Sequence, residues 1–236
     1  MIEKLKHLIY KEWLKTRWYA TIALLLSLGT VIYIFISIRS DLNLLGAPQY
    51  FSSLILEKSI FFGKFKYIPI ITALLIGLSQ FVPEVTDKRI KLSLHLPMEN
   101  TTVIYSMVLF GFAIITAIQL ISVLLLTLFM SVYFPSEIII PSLQTILPWI
   151  LGGMTCYFFI AMISLEPIWK YRFLYIIFVY FVLRLFYYSY GLGNAVTIYP
   201  ILFIITLISS VSVIYTSHRF NKGEHYCPKK LPHRFS

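Results

Sequence analysis

The chain has 236 residues, of which 58% are hydrophobic and 13% are charged, and its formal net charge is +10. Because a soluble domain carries roughly 25% charged residues, this composition excludes a soluble globular protein and indicates a membrane protein. The basic residues lie beside apolar runs, which is typical of cytoplasmic loops between membrane spans and not of a nucleic-acid-binding surface.

The N-terminal segment 1–17 has the pattern of an amphipathic helix. Apolar residues recur at helical spacing on one face, and basic residues occupy another (Ile2, Leu5, Ile9, Trp13; Lys4, His7, Lys11, Lys15). Such a helix is expected to lie in the membrane interface, where Trp13 and Trp18 would anchor it. The alternative is a solvated start to the first span.

The apolar runs predict an all-α polytopic membrane protein with six spans in one transmembrane domain, 1–217. A span needs roughly 20 apolar residues. The predicted spans are 20–38, 60–82, 103–132, 143–165, 173–190 and 196–217. The first run is longer than the apolar core of a signal peptide, so we expect it to stay in the membrane. The start of the second span is open, since Lys64 and Lys66 interrupt it.

A proline-containing stretch and the C-terminal segment complete the pattern. Residues 131–142, with Pro135 and Pro141, are expected to form a loop between spans three and four. Residues 218–236 form a basic cytoplasmic tail. Its histidines and Cys227 fit no zinc-binding spacing, so no metal site is expected. Cys156 lies in an apolar run far from Cys227, and no disulfide is indicated.

The distribution of Lys and Arg predicts that both ends of the chain face the cytoplasm. With the N-terminus inside, the inside segments carry 15 of these residues and the outside segments carry 4. The excess of inside positive charge sets this orientation. The four outside residues all fall in the first loop (Arg39, Lys58, Lys64, Lys66).

The motifs of several enzymes are absent from the sequence. There is no G-x-x-x-x-G-K-[ST] phosphate loop, no G-x-S-x-G elbow and no H-E-x-x-H metal motif. The chain is therefore not expected to be an enzyme or to hydrolyse ATP itself. No acidic residue is expected in the middle of a span, which disfavours a proton-coupled carrier.

The connector 83–101 is the most informative stretch. Pro83 can end or kink span two, and Glu84–Lys88 and Asp87–Lys91 are i,i+4 pairs with the acidic residue first. Pro97 would stop a short helix there. The result would be a rigid, partly apolar cytoplasmic element suited to docking on a soluble partner. A plain solvated loop is the alternative.

Three features resemble the ABC-2 type permease family. They are the amphipathic start at 8–18 followed directly by a span, the connector ending in Leu-x-Leu-Pro at 94–97, and six spans with both ends inside. The resemblance implies the permease subunit of an ABC-type exporter in the bacterial cytoplasmic (inner) membrane. It implies a second permease copy or paralogue, and a separate ATPase subunit that binds ATP and magnesium. This chain would itself hold no cofactor.

The resemblance also assigns residue roles. The segment 1–17 resembles the family's elbow helix, and 87–96 its coupling helix. The ATPase-coupling loop would comprise six polar residues (Glu84, Asp87, Lys88, Arg89, Lys91, His95). One departure is that the connector between spans five and six, 191–196, is too short for the re-entrant helices of many family members.

Arg184 lies inside predicted span five among aromatic residues. An arginine within a span is a candidate functional residue, and with Tyr180 and Tyr187 it would line a substrate path. The alternative is that Arg184 snorkels to the nearby membrane surface and that the aromatic residues form an interface belt.

Two other functions compete with the exporter. A membrane-embedded enzyme acting on lipids would need a polar cluster at one membrane face, for which Glu84, Asp87 and His95 are the candidates. A non-transporting scaffold or assembly subunit is the third interpretation.

Overall fold

The computed structural model describes residues 2–46, 48–50, 52, 60–86, 100–166, 168–188, 193 and 196–221. Within them the chain is helical and no strand occurs. This described part of the chain contains six α-helices of 18 or more residues: α1 (Ile2–Leu45), α2 (Ile68–Thr86), α3 (Asn100–Tyr133), α4 (Ser136–Leu165), α5 (Trp169–Phe186) and α6 (Tyr199–Asn221). Short 3₁₀ turns at Gly63–Tyr67 and Val196–Ile198 lead into α2 and α6.

Among the residues that the structure describes, four segments are long and apolar enough to cross a membrane: Lys6–Leu44, Gly63–Val85, Val103–Tyr133 and Ser136–Leu165. The protein therefore has the features of a multi-pass membrane protein. In α6 the apolar stretch, Tyr199–Val213, is shorter, and α5 carries Lys170, Arg172 and Arg184 within its 18 residues. The count of six spans and their orientation stay predictions.

The first helix differs from its predicted form. The interfacial helix and the first span were expected to be separate, but α1 is one uninterrupted helix of 44 residues. At 1.5 Å per residue it is about 66 Å long, more than twice the thickness of the hydrocarbon core. Its inward-facing residues continue at helical spacing through both segments (Leu8, Glu12, Thr16, Ala20, Ala23, Ser27, Val31, Ile34, Ile38).

The expected loop 131–142 is largely helical. Tyr133 ends α3, and α4 begins at Ser136 with Pro135 as its N-cap in extended conformation. Proline is tolerated in the first turns of a helix, where amide groups have few intrahelical partners. A two-residue break between helices makes α3 and α4 antiparallel neighbours.

The helix α4 is the centre of the bundle. It packs against α2, α3, α5 and α6, while α1 packs against α2 and α3. It is the most buried of the four candidate spans. Two glycines allow close approach: a Cβ on Gly153 would lie 2.6 Å from Cβ of Pro69 in α2, and one on Gly152 2.7 Å from the Tyr187 ring. Small residues at such contacts are typical of helices packed in membranes.

Candidate functional site at the end of α2

Glu84 is buried near the C-terminal end of α2, two residues before the described part of this helix ends at Thr86. Its Oε1 atom lies 3.0 Å from Nζ of Lys11 and 3.1 Å from Nζ of Lys15, both on α1. An ionised carboxylate is costly to bury unless it is paired. These two lysines supply the pairing from a helix about 70 positions earlier in the sequence.

A second buried carboxylate, that of Glu12, joins the same group. Nζ of Lys15 lies 3.0 Å from one Glu12 oxygen and donates a hydrogen bond of 3.1 Å to the other. Lys15 therefore lies between two carboxylates that are each about 1% exposed. We call Lys11, Glu12, Lys15 and Glu84 the charge cluster. Its two positive and two negative charges balance.

The spacing of residues along α1 builds the charge cluster. Glu12 lies on the inward face, in line with Leu8 and Thr16, which are both buried. The Thr16 hydroxyl donates to the Glu12 backbone oxygen at 2.9 Å and so needs no other partner. Lys11 and Lys15, one position before and three positions after Glu12, flank this face and reach the end of α2.

The structure places the predicted coupling residues unequally. Glu84 is at the base of the predicted loop and is joined to α1. Asp87, Lys88, Arg89, Lys91 and His95 lie outside the described residues, as do the predicted coupling helix 87–96 and the tail residues 222–236. Of the predicted Glu84–Lys88 pair, only Glu84 lies within the described residues. The partners that the structure gives for Glu84 are the two lysines of α1.

The structure brings two of the three predicted substrate-path residues into contact with each other and the third into contact with α4. Tyr187 points toward α4 and donates a hydrogen bond of 2.9 Å to the Trp149 backbone oxygen. Tyr180 and Arg184 are exposed on the surface of α5, with the Arg184 guanidinium carbon 5.8 Å from the centre of the Tyr180 ring. The substrate path and the snorkelling alternative both stay predictions.

A buried polar network, which the sequence pattern did not predict, joins α2, α3 and α4. The Tyr157 hydroxyl donates to Oε1 of Gln80 at 2.8 Å and to the backbone oxygen of Val108 at 3.1 Å. Nε2 of Gln80 donates to the Met107 backbone oxygen at 2.6 Å. A Cβ on Gly111 would lie 2.2 Å from the Tyr157 hydroxyl, so this network requires glycine there.

The pairing of Glu12 was also missed. The signal was present, since Glu12 falls at i+4 from Leu8 and i−4 from Thr16 on what becomes the inward face. The basic residues around it led to an interpretation of the segment as membrane-interfacial. An acidic residue on the apolar side of a basic helix is the feature that would have identified a buried ion pair.

Comparison with known proteins adds no identity to this geometry. No protein-family model, no curated protein and no solved structure matches the chain. The functional interpretation therefore depends on the residues and their contacts.

Proposed function

We propose that the protein is the membrane-spanning permease subunit of an ABC-type exporter in a bacterial cytoplasmic membrane. In this proposal it pairs with a second permease copy or paralogue. A separate ATPase subunit binds ATP and magnesium, docks on the connector 87–96 and drives the export of a substrate.

The observation that carries the proposal is the contact between Glu84 and the two lysines of α1. Glu84 lies three positions before the predicted docking element, and its carboxylate lies 3.0 and 3.1 Å from the lysine nitrogens. A displacement of the connector would act on the end of α2, and through the charge cluster it would also act on α1. A contact of this kind gives the docking element a direct mechanical link to a second helix.

The length of α1 supports the same mechanism. Because α1 is uninterrupted over 44 residues, a movement at its charged end would be transmitted along its whole length. The helix is also peripheral, since it contacts α2 and α3 but much of its surface is exposed. It can therefore tilt without disrupting the centre of the bundle at α4.

The proposal is tested by recovering the protein with its energy-supplying partner. We expect the full chain, purified in mild detergent from its native membrane, to retain a protein with a phosphate-loop motif and ATPase activity. The combined substitutions Lys88→Glu, Arg89→Glu and Lys91→Glu should release that partner, because they reverse the charge of the proposed docking element. The variant should still insert in the membrane.

A control is provided by two basic residues of the 3₁₀ turn Gly63–Tyr67, which precedes α2. Lys64→Glu with Lys66→Glu also reverses basic charges, but far from the connector, and should leave the partner bound. A chain that retains no ATPase, or an ATPase that both sets of substitutions release equally, would contradict the proposal.

A further inference from the structure

The two carboxylates of the charge cluster are compensated unequally. Glu84 is paired with two lysines, since Nζ of Lys11 and Nζ of Lys15 lie 3.0 and 3.1 Å from its Oε1 atom. Among the described residues, Glu12 is paired with Lys15 alone, and it shares that lysine with Glu84. Glu12 is buried, so water adds little to its compensation. Of the two carboxylates, Glu12 is therefore the one whose negative charge is more costly to keep.

The helices around Glu12 do not supply a second cation within the described part of the chain. The elements that pack most against α1 are α2, α3 and the 3₁₀ turn before α2. In α2 the one charged residue is Glu84, and α3 contains no charged residue. The 3₁₀ turn carries Lys64 and Lys66, but it leads into the opposite end of α2.

The remaining titratable groups near Glu12 leave this balance unchanged. From α4, Tyr157 interacts electrostatically with Glu12, but it is a neutral phenol whose hydroxyl is engaged in the polar network. On α1 itself, Lys11 acts on Glu12 more weakly than Lys15 does, and His7 is exposed. Lys15 is thus the main source of positive charge at Glu12.

Glu84 offers an acceptor for a proton carried by Glu12. Its Oε2 atom is buried and has no hydrogen-bond partner among the described residues. Because Nζ of Lys15 is within 3.1 Å of both carboxylates, the two acidic groups lie close together beside one ammonium group. An ionised carboxylate can only accept hydrogen bonds, whereas a neutral carboxyl also carries an O–H donor. Two neighbouring carboxylates that interact in this way titrate as a pair and favour retention of one proton.

We propose that the charge cluster is a proton-binding site, in which Glu12 takes up one proton as the pH falls and donates it in a hydrogen bond to Oε2 of Glu84. The proton comes from water, and the cluster changes from a net charge of zero to a single positive charge. Lys11, whose side chain is 41% exposed, can turn its ammonium group toward solvent and so carry the excess charge. The site depends on the contacts between α1 and α2 and not on the exporter function.

Proton uptake changes which helices the charge cluster joins. In the ionised form, Lys15 is divided between Glu12, three positions earlier on its own helix, and Glu84 on α2. In the protonated form Lys15 is left to Glu84, and the new O–H···O bond also runs from α1 to α2. Hydrogen bonds to an ionised acceptor are roughly twice as strong as neutral ones. Mild acid therefore strengthens the contact between the two helices.

The test is an infrared titration of the purified full chain in a maltoside detergent, which has no carbonyl group to interfere. A protonated carboxyl gives a C=O stretching band that a carboxylate lacks. As the pH is lowered, we expect one such band to grow before the exposed carboxyls take up protons near pH 4. Glu12→Gln should abolish this band. Glu137→Gln, at an exposed position on α4, is the matched control and should leave it unchanged.

Two neighbouring substitutions should move the midpoint of the band in opposite directions. Lys15→Met removes the cation beside Glu12 and should raise the midpoint by roughly 1–3 pH units, the usual effect of a charge at this distance. Glu84→Gln removes the neighbouring negative charge and leaves Lys15 to Glu12, so it should lower the midpoint. Lys15→Arg keeps the charge and should restore the original midpoint. Opposite shifts would not result from a general loss of folding.

Two results would overturn the inference. The first is a spectrum in which Glu12→Gln removes no band that grows ahead of those of the exposed carboxyls. The second is a band whose midpoint Lys15→Met and Glu84→Gln shift in the same direction or leave in place. Because the titration uses the purified chain without an ATPase, either result would leave the exporter proposal to its own test.

Discussion

The two halves of α1 are held to the bundle by different kinds of contact. Near its beginning, the charge cluster joins α1 to the end of α2 through ion pairs. About 20 residues later, Val31, Ile34 and Ile38 pack into an aromatic cluster from the 3₁₀ turn, α3 and α4, which includes Phe62, Phe65 and Trp149. At 1.5 Å per residue, the two contacts are about 30 Å apart along the helix.

In the proposed mechanism, the difference between the two contacts determines which end of α1 would respond to the ATPase subunit. The aromatic cluster is close packing of rings, with Phe62 and Trp149 ring centres 5.7 Å apart, and a gap of about 0.5–1 Å would already forfeit a quarter to a half of each contact's energy. The charge cluster depends on specific pairs of buried groups, which are either made or left uncompensated. A fixed apolar contact at one end and a charge-dependent contact at the other would allow α1 to pivot.

The largest expected effect is at Lys15, which pairs with both buried carboxylates. Lys15→Met should lower the free energy of unfolding by about 4 kcal/mol, because breaking a buried ion pair leaves charge uncompensated. Unfolding in mixed micelles of mild detergent and dodecyl sulfate measures this. Lys6→Met, at an exposed position on the same helix, is the control. If both variants unfold alike, the charge cluster does not stabilise the α1–α2 contact.

The aromatic cluster should respond to loss of volume and not to loss of charge. Phe62→Ala removes a fully buried ring and should cost about 3 kcal/mol through the cavity that it leaves. Tyr67→Ala, at an exposed position, should cost much less. Because this cluster is held by apolar packing, added salt should not alter the unfolding of either variant. A strong salt dependence for Phe62→Ala would show that this end is not held by packing alone.

The next largest effect is expected in the polar network of Tyr157 and Gln80 in the middle of the bundle. Gly111→Ala should cost about 2 kcal/mol, because the new methyl group displaces Tyr157 and Gln80 from their hydrogen bonds. Gly29→Ala is a sensitive control, since a Cβ there meets nothing within 4 Å. Unfolding of the two variants under the same conditions tests this. Equal stability would mean that the network adds little to the packing of α2 against α3.

The smallest effect is expected at Lys11, the exposed member of the charge cluster. Its side chain is 41% exposed, against 14% for Lys15, so solvent screens its pair with Glu84. Lys11→Met should therefore cost less than about 1 kcal/mol, and added salt should mask part of the loss. A cost equal to that of Lys15→Met would mean that exposure does not determine the strength of these pairs.

The positions of the helices could be predicted from the sequence because long apolar runs leave few alternatives in a membrane. Each of the six predicted spans overlaps one of the six helices, and the ends differ by several residues. Two predicted boundaries differ from the structure: α1 continues without a break from the segment 1–17 into the first span, and the loop expected at 131–142 from Pro135 and Pro141 is largely helical. Both errors have the same cause. A local structural preference was assigned to a type of residue, and packing between helices overrides that preference.

The partners of the buried polar groups could not be predicted. Glu84 was singled out for its place before the connector, but its contacts with Lys11 and Lys15 join residues about 70 positions apart. The same is true of Tyr157 and Gln80. The arrangement of neighbouring helices depends on how their whole faces pack. The sequence pattern shows which face of a helix is buried, but it does not show which other helix packs against that face.

The exporter proposal requires the connector 87–96 to lie on the cytoplasmic side of the membrane. One measurement decides it: labelling of a single cysteine at Ser93→Cys by a membrane-impermeant maleimide, in a chain with Cys156 and Cys227 replaced by serine. Ser52→Cys, in the predicted outside loop, is the reference. We expect Ser52→Cys to react in intact spheroplasts and Ser93→Cys to react after permeabilisation alone. Labelling of Ser93→Cys in intact spheroplasts would place the connector outside and contradict the exporter proposal.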